Sequence, residues 1–448
     1  MKFKPWGCVG LAGVILLSGC SGGKEAASPK MSDDGKKIVV VGTKGSTRFL
    51  QEAEKKFEAA HPDIDIQLKK YGTPEKKNDG GGMQVAPEMT QEEYDRLIQQ
   101  INTEVLSGKG PDVIDTTGLS LGVYANKGAI EDLHERMKKD SSFKPSDYYE
   151  GIWQASEING GLYALPTSFF IENMMVDTRK LQQAGVKLDD TKWTWKDFFD
   201  IAIKVKASSN DEVYALGSNS PKGDLLFSIV ESEYDRYVQH DQKTANFDSD
   251  EFRQRMQQVK DLYDQGFITQ DIGDKDKLIF SQNTMSNSGL LAVMTYLPGW
   301  KSILPPTEAG GAAGPSFKAY GGFAINAKSG VKDEAWAFMK FLLSPEMQQS
   351  SEFIGIPMLK ELVKAQFEES KKLAANKDAF IQIDDADAFN QHVDGMLSLL
   401  DQPGKPFAMD PKIQSMMREE FDTFMVGQKS AEEVSKLIQS RVTTYLNE

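Results

Sequence analysis

The chain has 448 residues, a formal charge of −14 and two cysteines, Cys8 and Cys20. This acidity argues against nucleic acid as a partner, because phosphate binding needs clustered Lys and Arg. The length is enough for two large lobes whose cores need no disulfide.

Lys2 and Lys4 precede an apolar run from Val9 to Leu17, and Leu17-Ser18-Gly19-Cys20 follows. The basic, apolar and small-residue order is that of a secretory signal peptide, residues 1–19. The apolar part ends short of the roughly 20 residues that a membrane span needs. The tetrapeptide resembles a bacterial lipobox, which implies a diacylglyceryl thioether on Cys20 and anchoring at the outer face of the cytoplasmic membrane. Cys8 leaves with the signal and Cys20 takes lipid, so no disulfide can form. Residues 20–36 are small, polar and charged without periodicity, as in a flexible tether.

The folded part is expected to open with Ile38-Val39-Val40-Val41-Gly42, an apolar run suited to a strand covered on both faces. A helix starts at Ser46, with Phe49, Leu50, Ala53 and Phe57 on one face, and His61-Pro62 ends it. Ile64, Ile66 and Leu68 alternate as a second strand. Tyr71–Pro87 reads as a loop. Thr90 and Glu93 have capping-box spacing ahead of a stripe of Tyr94, Leu97, Ile98, Ile101 and Val105. Asp112-Val113-Ile114 is the third strand, and this β-α-β-α-β order predicts a parallel sheet with right-handed crossovers.

The alternation continues. A capped helix begins near Thr194, with Phe198, Ile201, Ala202 and Val205 on one face. Phe252, Met256, Val259 and Tyr263 make another stripe, closed by Gly266. Gly289–Met294 is a buried-strand candidate. Ala335, Trp336, Met339, Leu342 and Leu343 form a helix stopped by Ser344-Pro345. Ser430 and Glu433 form a capping box before Val434, Leu437, Ile438 and Tyr445. The fold class is doubly wound α/β, with more elements than one sheet holds.

Catalytic patterns are sparse. His61, His134, His240 and His392 lie far apart without the i, i+4 spacing of a helical zinc site, so no metal site is expected. There is no G-x-S-x-G elbow and no P-loop, and no cofactor is expected. Ligands of open α/β sheets bind beyond the carboxyl ends of the strands. Here those ends carry Gly42–Ser46, Tyr71-Gly72 and Asp115-Thr116-Thr117-Gly118. A cation, hydroxyls and one carboxylate suit a neutral, hydroxyl-rich ligand, although Asp115 reads equally well as a cap on the segment after it.

Gly108–Ile114 is similar to the "G-x-x-PDV" element of family 1 extracellular solute-binding proteins, the receptors of carbohydrate ABC importers. Asn159–Pro166 resembles their "NGKxYALP" stretch, and Met175-Val176-Asp177-Thr178 stands where many members have "xYNK". Trp193–Phe198 resembles "xTWxEF", Met294–Trp300 "AMxxxGxW", and Gly321–Ile325 with Glu334–Phe338 the "GGxxxAI…EAWxF" block. The likeness runs from about Lys37 to Glu448.

The resemblance implies a two-lobed periplasmic-binding-protein-like fold of type II, with lobe one over 37–165 and 320–357 and lobe two over 167–319 and 359–448. Its cleft residues map to Thr43, Lys44, Gly45 and Ser46, to Asp115, Thr116 and Thr117, and to Thr167, Ser168 and Phe169. Trp300 is the implied stacking platform, with Trp153 and Tyr296 as further aromatic candidates, while Trp336 reads as core. Where relatives carry a Tyr-Asn pair, this chain has Met175-Val176-Asp177, so polar contacts made there are not expected here. The implied protein is a monomeric, non-enzymatic receptor passing an oligosaccharide or sugar derivative to ABC permease subunits driven by a separate ATPase. A non-sugar solute (polyol phosphate, polyamine or iron chelate) and a secreted lipoprotein glycoside hydrolase are the competing readings.

Overall fold

The computed structural model describes residues 28–44, 48–72, 91–210, 212–218, 222–240, 242–285, 296–307, 316–376, 383, 385–400, 405–406 and 409–447. The signal peptide, Cys20, Gly45, Ser46, Thr90, most of the 71–87 loop and the strand expected at 289–294 lie outside these residues. No helix among the described residues is long and apolar enough to cross a membrane.

In chain order the strands are β1 (Lys37–Thr43), β2 (Ile64–Lys70), β3 (Val113–Asp115), β4 (Ser168–Asp177), β5 (Tyr214–Gly217), β6 (Val238–Gln239) and β7 (Thr244–Ala245). They continue with β8 (Ile268–Thr269), β9 (Leu278–Met285), β10 (Trp300–Ile303), β11 (Ser316–Tyr320), β12 (Phe323–Ile325), β13 (Ile356–Pro357) and β14 (Lys405–Pro406). The first sheet has the order β12-β3-β1-β2. Its β1 pairs in parallel with both β2 and β3, as the β-α-β-α-β reading requires, and β12 closes the edge antiparallel to β3. The larger sheet runs β14-β11-β4-β9-β5-β8, with β10 and β13 also paired to β4. Strands β6 and β7 form a separate ribbon.

Helix Arg48–Ala60 buries Leu50, Ala53 and Phe57, the face set by their i, i+3, i+7 spacing. Helix Trp195–Ser208 begins with a complete capping box. The Thr194 side chain accepts from the Asp197 N–H, and the Asp197 carboxylate accepts from the Thr194 N–H at 2.8 Å. Ser430 and Glu433 make the same reciprocal pair ahead of helix Ala431–Asn447. Ser344 does more than end a helix: its hydroxyl caps the next one, Pro345–Gln348.

Two large cores result. One joins Val39, Val41, Phe57 and Trp336 and runs through the strand crossings to Phe169, Ile171 and Phe317 on one face of the second sheet. Helices Lys360–Ala375 and Ala386–Leu400 add Phe367, Phe389 and Val393 to it. The other core holds Met174, Val176, Phe198, Phe252, Phe280, Phe421 and Ile438. Trp336 packs in the first core with its indole N–H donating to Asp140, in keeping with its reading as a core residue.

Several motif residues are structural clips. Asp112 accepts from the Val40 N–H at 2.9 Å and from the Ser329 hydroxyl at 2.7 Å. The Asn326 amide donates to the Pro111 carbonyl, so the "PDV" turn and the end of β12 hold one another. The divergent Met175-Val176-Asp177 is wholly buried. Asp177 caps helix Thr178–Gln183 and pairs with Arg179 and Lys180, each 2.8 Å away. Those charges hold its carboxyl below the usual range against the opposing effect of burial.

Candidate functional site

Among the described residues three crossings join the two sheets, and they meet at one place. Leu165 and Phe323 exchange backbone hydrogen bonds, Tyr320 pairs with Ser168, and Pro357 pairs with Ser168 from the other side. Gly321 and Gly355 have φ of +61° and +104°. A Cβ on Gly321 would stand 2.5 Å from Thr167 Oγ1, and one on Gly355 would stand 2.7 Å from Ser168 Oγ. Both conformation and space therefore require glycine there.

The carboxyl ends of β1 and β3 open onto these crossings. The Lys44 ammonium donates to the Thr117 carbonyl. Burial pushes the lysine down to about 8, and the negative charge of Asp115 acts against that shift. Asp115 stays half-exposed, with one carboxylate oxygen accepting from the Thr117 N–H at 3.0 Å. Its charge, after burial, raises the Tyr320 phenol, and it also contributes at Tyr94. Lys44, Asp115, Tyr94 and Tyr320 thus form one electrostatic neighbourhood.

The second sheet supplies the facing wall. Along β4, Ser168, Phe170 and Glu172 alternate to one face, and Phe169 and Ile171 to the other. The Phe170 and Tyr320 rings lie 5.0 Å apart at 51°, and both are half-buried. Beyond them Glu172 accepts from the Thr284 hydroxyl at 2.9 Å, and burial raises its pKa against the pull of Lys318. Glu231, deeper in the same wall, is pushed up to about 8 by burial and accepts from the Met409 N–H.

The expected site residues divide on this geometry. Lys44, Asp115 and Thr117 come together with free surface. Thr43 and Thr116 are buried beside them, and the Thr116 hydroxyl is spent on the Gly322 carbonyl at 2.9 Å. Thr167 and Ser168 are also buried, their hydroxyls donating to the Gly321 and Tyr320 carbonyls at 3.0 and 3.5 Å. They hold the crossings together. Phe169 is 1 % exposed and faces the first core, because the pleat turns its neighbour Phe170 outward instead.

Trp153 is 2 % exposed, stacked among Phe143 and Tyr148, with its indole N–H on the Pro166 carbonyl at 3.3 Å. It has no open ring face. Trp300 pairs with Asp177, the far end of β4, nine residues from Ser168. That register sets it about 30 Å along the strand from the crossings. Tyr296 packs edge-on against Phe389 at 5.4 Å. A groove of about 370 Å³ between Val176, Leu181, Val186, Lys301 and Ile303 lies at the Trp300 end of β4, apart from the crossings, and among the described residues no carboxylate lines it.

Sequence reasoning missed Phe170, Tyr320 and Glu172. The available signal was the aromatic pair Phe169-Phe170 at the head of a strand, where one of two adjacent rings must face away from the core. Among the described residues no cluster of His, Cys, Asp and Glu could hold a metal ion.

Known proteins agree with this architecture. The family model of bacterial extracellular solute-binding proteins matches residues 42–349. A galactooligosaccharide-binding protein of Bacillus subtilis is 26% identical over 187 residues, 42% of this chain and 38% of that protein. The chain therefore matches less than half the length of that curated relative. The sugar-binding protein MalE of Xanthomonas citri superposes with a TM-score of 0.57 at 17% identity, over 92% of this chain and 97% of that one. An ABC substrate-binding protein of Listeria monocytogenes, in complex with cycloalternan, does so with a TM-score of 0.53 at 16% identity, over 92% and 99%. With its two-lobed α/β fold and a family match across more than half its length, the chain belongs to the bacterial extracellular solute-binding proteins.

Proposed function

We propose that this protein is a receptor that captures an oligosaccharide between its lobes and hands it to the permease of an ABC importer powered by a separate ATPase. It carries out no catalytic step of its own. The observation that carries the reading is the half-exposed Phe170–Tyr320 pair set beside Asp115 and Lys44 at the crossings. Pyranose rings present apolar C–H faces that pack on aromatic rings, while their hydroxyls both donate and accept at the rim. A carboxylate accepting two hydroxyl protons and an ammonium donating to ring oxygens supply that rim. The Bacillus relative is named for galactooligosaccharides and the Listeria structure holds cycloalternan, which supports the same ligand class. The proposed lobes are 37–165 with 320–357, and 167–319 with 359–448.

The test is a thermal-shift screen over linear and cyclic oligosaccharides, polyamines, polyol phosphates and iron chelates, since a ligand that binds only the native state raises apparent stability. A carbohydrate is expected to raise Tm, and Asp115→Ala to weaken its binding by about 1–3 kcal/mol. Stabilisation by a non-sugar solute alone overturns the reading, as does turnover of a glycoside.

The reading includes anchoring through lipid on Cys20, supported by the residues before it. Cys20→Ala is expected to move the protein from the membrane fraction to the soluble fraction or leave it unprocessed. A processed variant that stays on the membrane removes the anchor from the proposal.

A further inference from the structure

Apart from the crossings, one hydroxyl among the described residues links the two proposed lobes. Tyr445 lies on helix Ala431–Asn447, whose Val434, Ile438 and Val442 belong to the second core. Its phenol oxygen is 3.1 Å from Asp410 Oδ2 and 3.3 Å from Ser120 Oγ. Asp410 starts helix Pro411–Met425 in the second lobe, and its other oxygen accepts from the Lys412 and Ile413 N–H groups. Ser120 precedes helix Leu121–Asn126 in the first lobe, where Leu119 and Tyr124 are core residues. A phenol has one proton and two lone pairs, so Tyr445 can donate to the carboxylate while accepting from the serine.

Ser120 occupies the N-cap position, where a serine hydroxyl ordinarily bonds a backbone N–H of the first turn. Here it makes no such bond. Its hydroxyl reaches across to the other lobe instead. The loop that carries it is also the one proposed to meet ligand: Thr117 N–H bonds the Asp115 carboxylate, Leu119 N–H bonds the Thr116 carbonyl, and Lys44 bonds the Thr117 carbonyl. Whatever engages Asp115 and Lys44 therefore acts on the same few residues that present Ser120.

We infer that Tyr445 is a positioning residue for ligand capture, its hydroxyl linking the helix starts at Ser120 and Asp410 and biasing the lobes toward the closed arrangement. A bond present only when the lobes are together shifts the open–closed equilibrium without touching ligand. Only the affinity arm of the test rests on the carbohydrate reading.

The experiment compares the ligand-free full chain with Ser120→Ala, Tyr445→Phe and the double variant by small-angle scattering. Ser120→Ala breaks the link between lobes and leaves the Tyr445–Asp410 bond in place, so it remains informative if Tyr445→Phe lowers the Tm. Each single variant is expected to have a larger radius of gyration than the parent, and the double variant to be no larger than either, the signature of one shared bond. Radii unchanged in both single variants, or increments that add in the double, overturn the inference. With the sugar that most stabilises the parent, both single variants are expected to bind roughly 2- to 10-fold more weakly through faster dissociation. A parent that no sugar stabilises removes the carbohydrate reading, and the scattering comparison still decides the latch.

Discussion

Gln348→Leu is expected to destabilise the protein by about 3–4 kcal/mol, read as a lowered urea midpoint at constant slope. The side chain is 1 % exposed and ends the short helix Pro345–Gln348. Its amide nitrogen donates to the Thr167 carbonyl at 2.7 Å, on the first crossing. Its amide oxygen accepts from the Met358 N–H at 2.8 Å, beside the third. Leucine fills the space but leaves that carbonyl and N–H without partners where water does not reach, and each such group costs about 1–3 kcal/mol. Gln348→Glu keeps the acceptor and loses the donor, so it separates the two halves of the amide. A loss under 1 kcal/mol for the leucine variant would show that the crossings hold their register without this residue.

Phe170→Ala is expected to weaken sugar binding by about 2 kcal/mol, roughly thirtyfold in Kd, with little change in the Tm of the free protein. One ring face packed on a pyranose buries area on the scale that this figure requires, and the ring stands half out of the core. Tyr320→Phe keeps the second ring and removes the hydroxyl beside Asp115, so a smaller loss is expected. Trp300→Ala, at the far end of β4, serves as the comparison and is expected to change affinity less than either. Titration calorimetry ranks the three variants. A larger loss at Trp300 than at Phe170 would move the platform back to the position that the family resemblance implies.

Much of the scaffold was legible because local chemistry acts over a few residues. The apolar run at Ile38–Gly42, the i, i+3, i+7 face of Leu50, Ala53 and Phe57, and the box between Thr194 and Asp197 each contain their own explanation. Parallel pairing of β1 with β2 and β3 followed from the helices between them, since a strand returning in parallel needs such a crossover. The order of several weak motifs led to the family, whose model spans residues 42–349. Asp115 and Lys44 stood out as candidates because strand ends are where ligands of such sheets sit.

The sequence by itself determined the period of the elements it reads, the residue types at the strand ends and the family. Only the tertiary structure decided which face each residue takes and which distant group each polar atom meets. Phe169 and Phe170 are both phenylalanines at the head of one strand, and alternation says that they point apart without saying which points inward. The first core around Tyr149 and Ile356 claims Phe169, leaving Phe170 half-buried on the opposite face of β4. Trp153 was a further stacking candidate in the sequence, and only the fold closes Phe143, Tyr148 and the Pro166 carbonyl around it. Gln348 meets Thr167 across 181 positions, and Tyr445 meets Ser120 across 325. No local pattern encodes such pairs, because a hydrogen-bonding side chain has the same sequence signature whatever partner the fold brings to it.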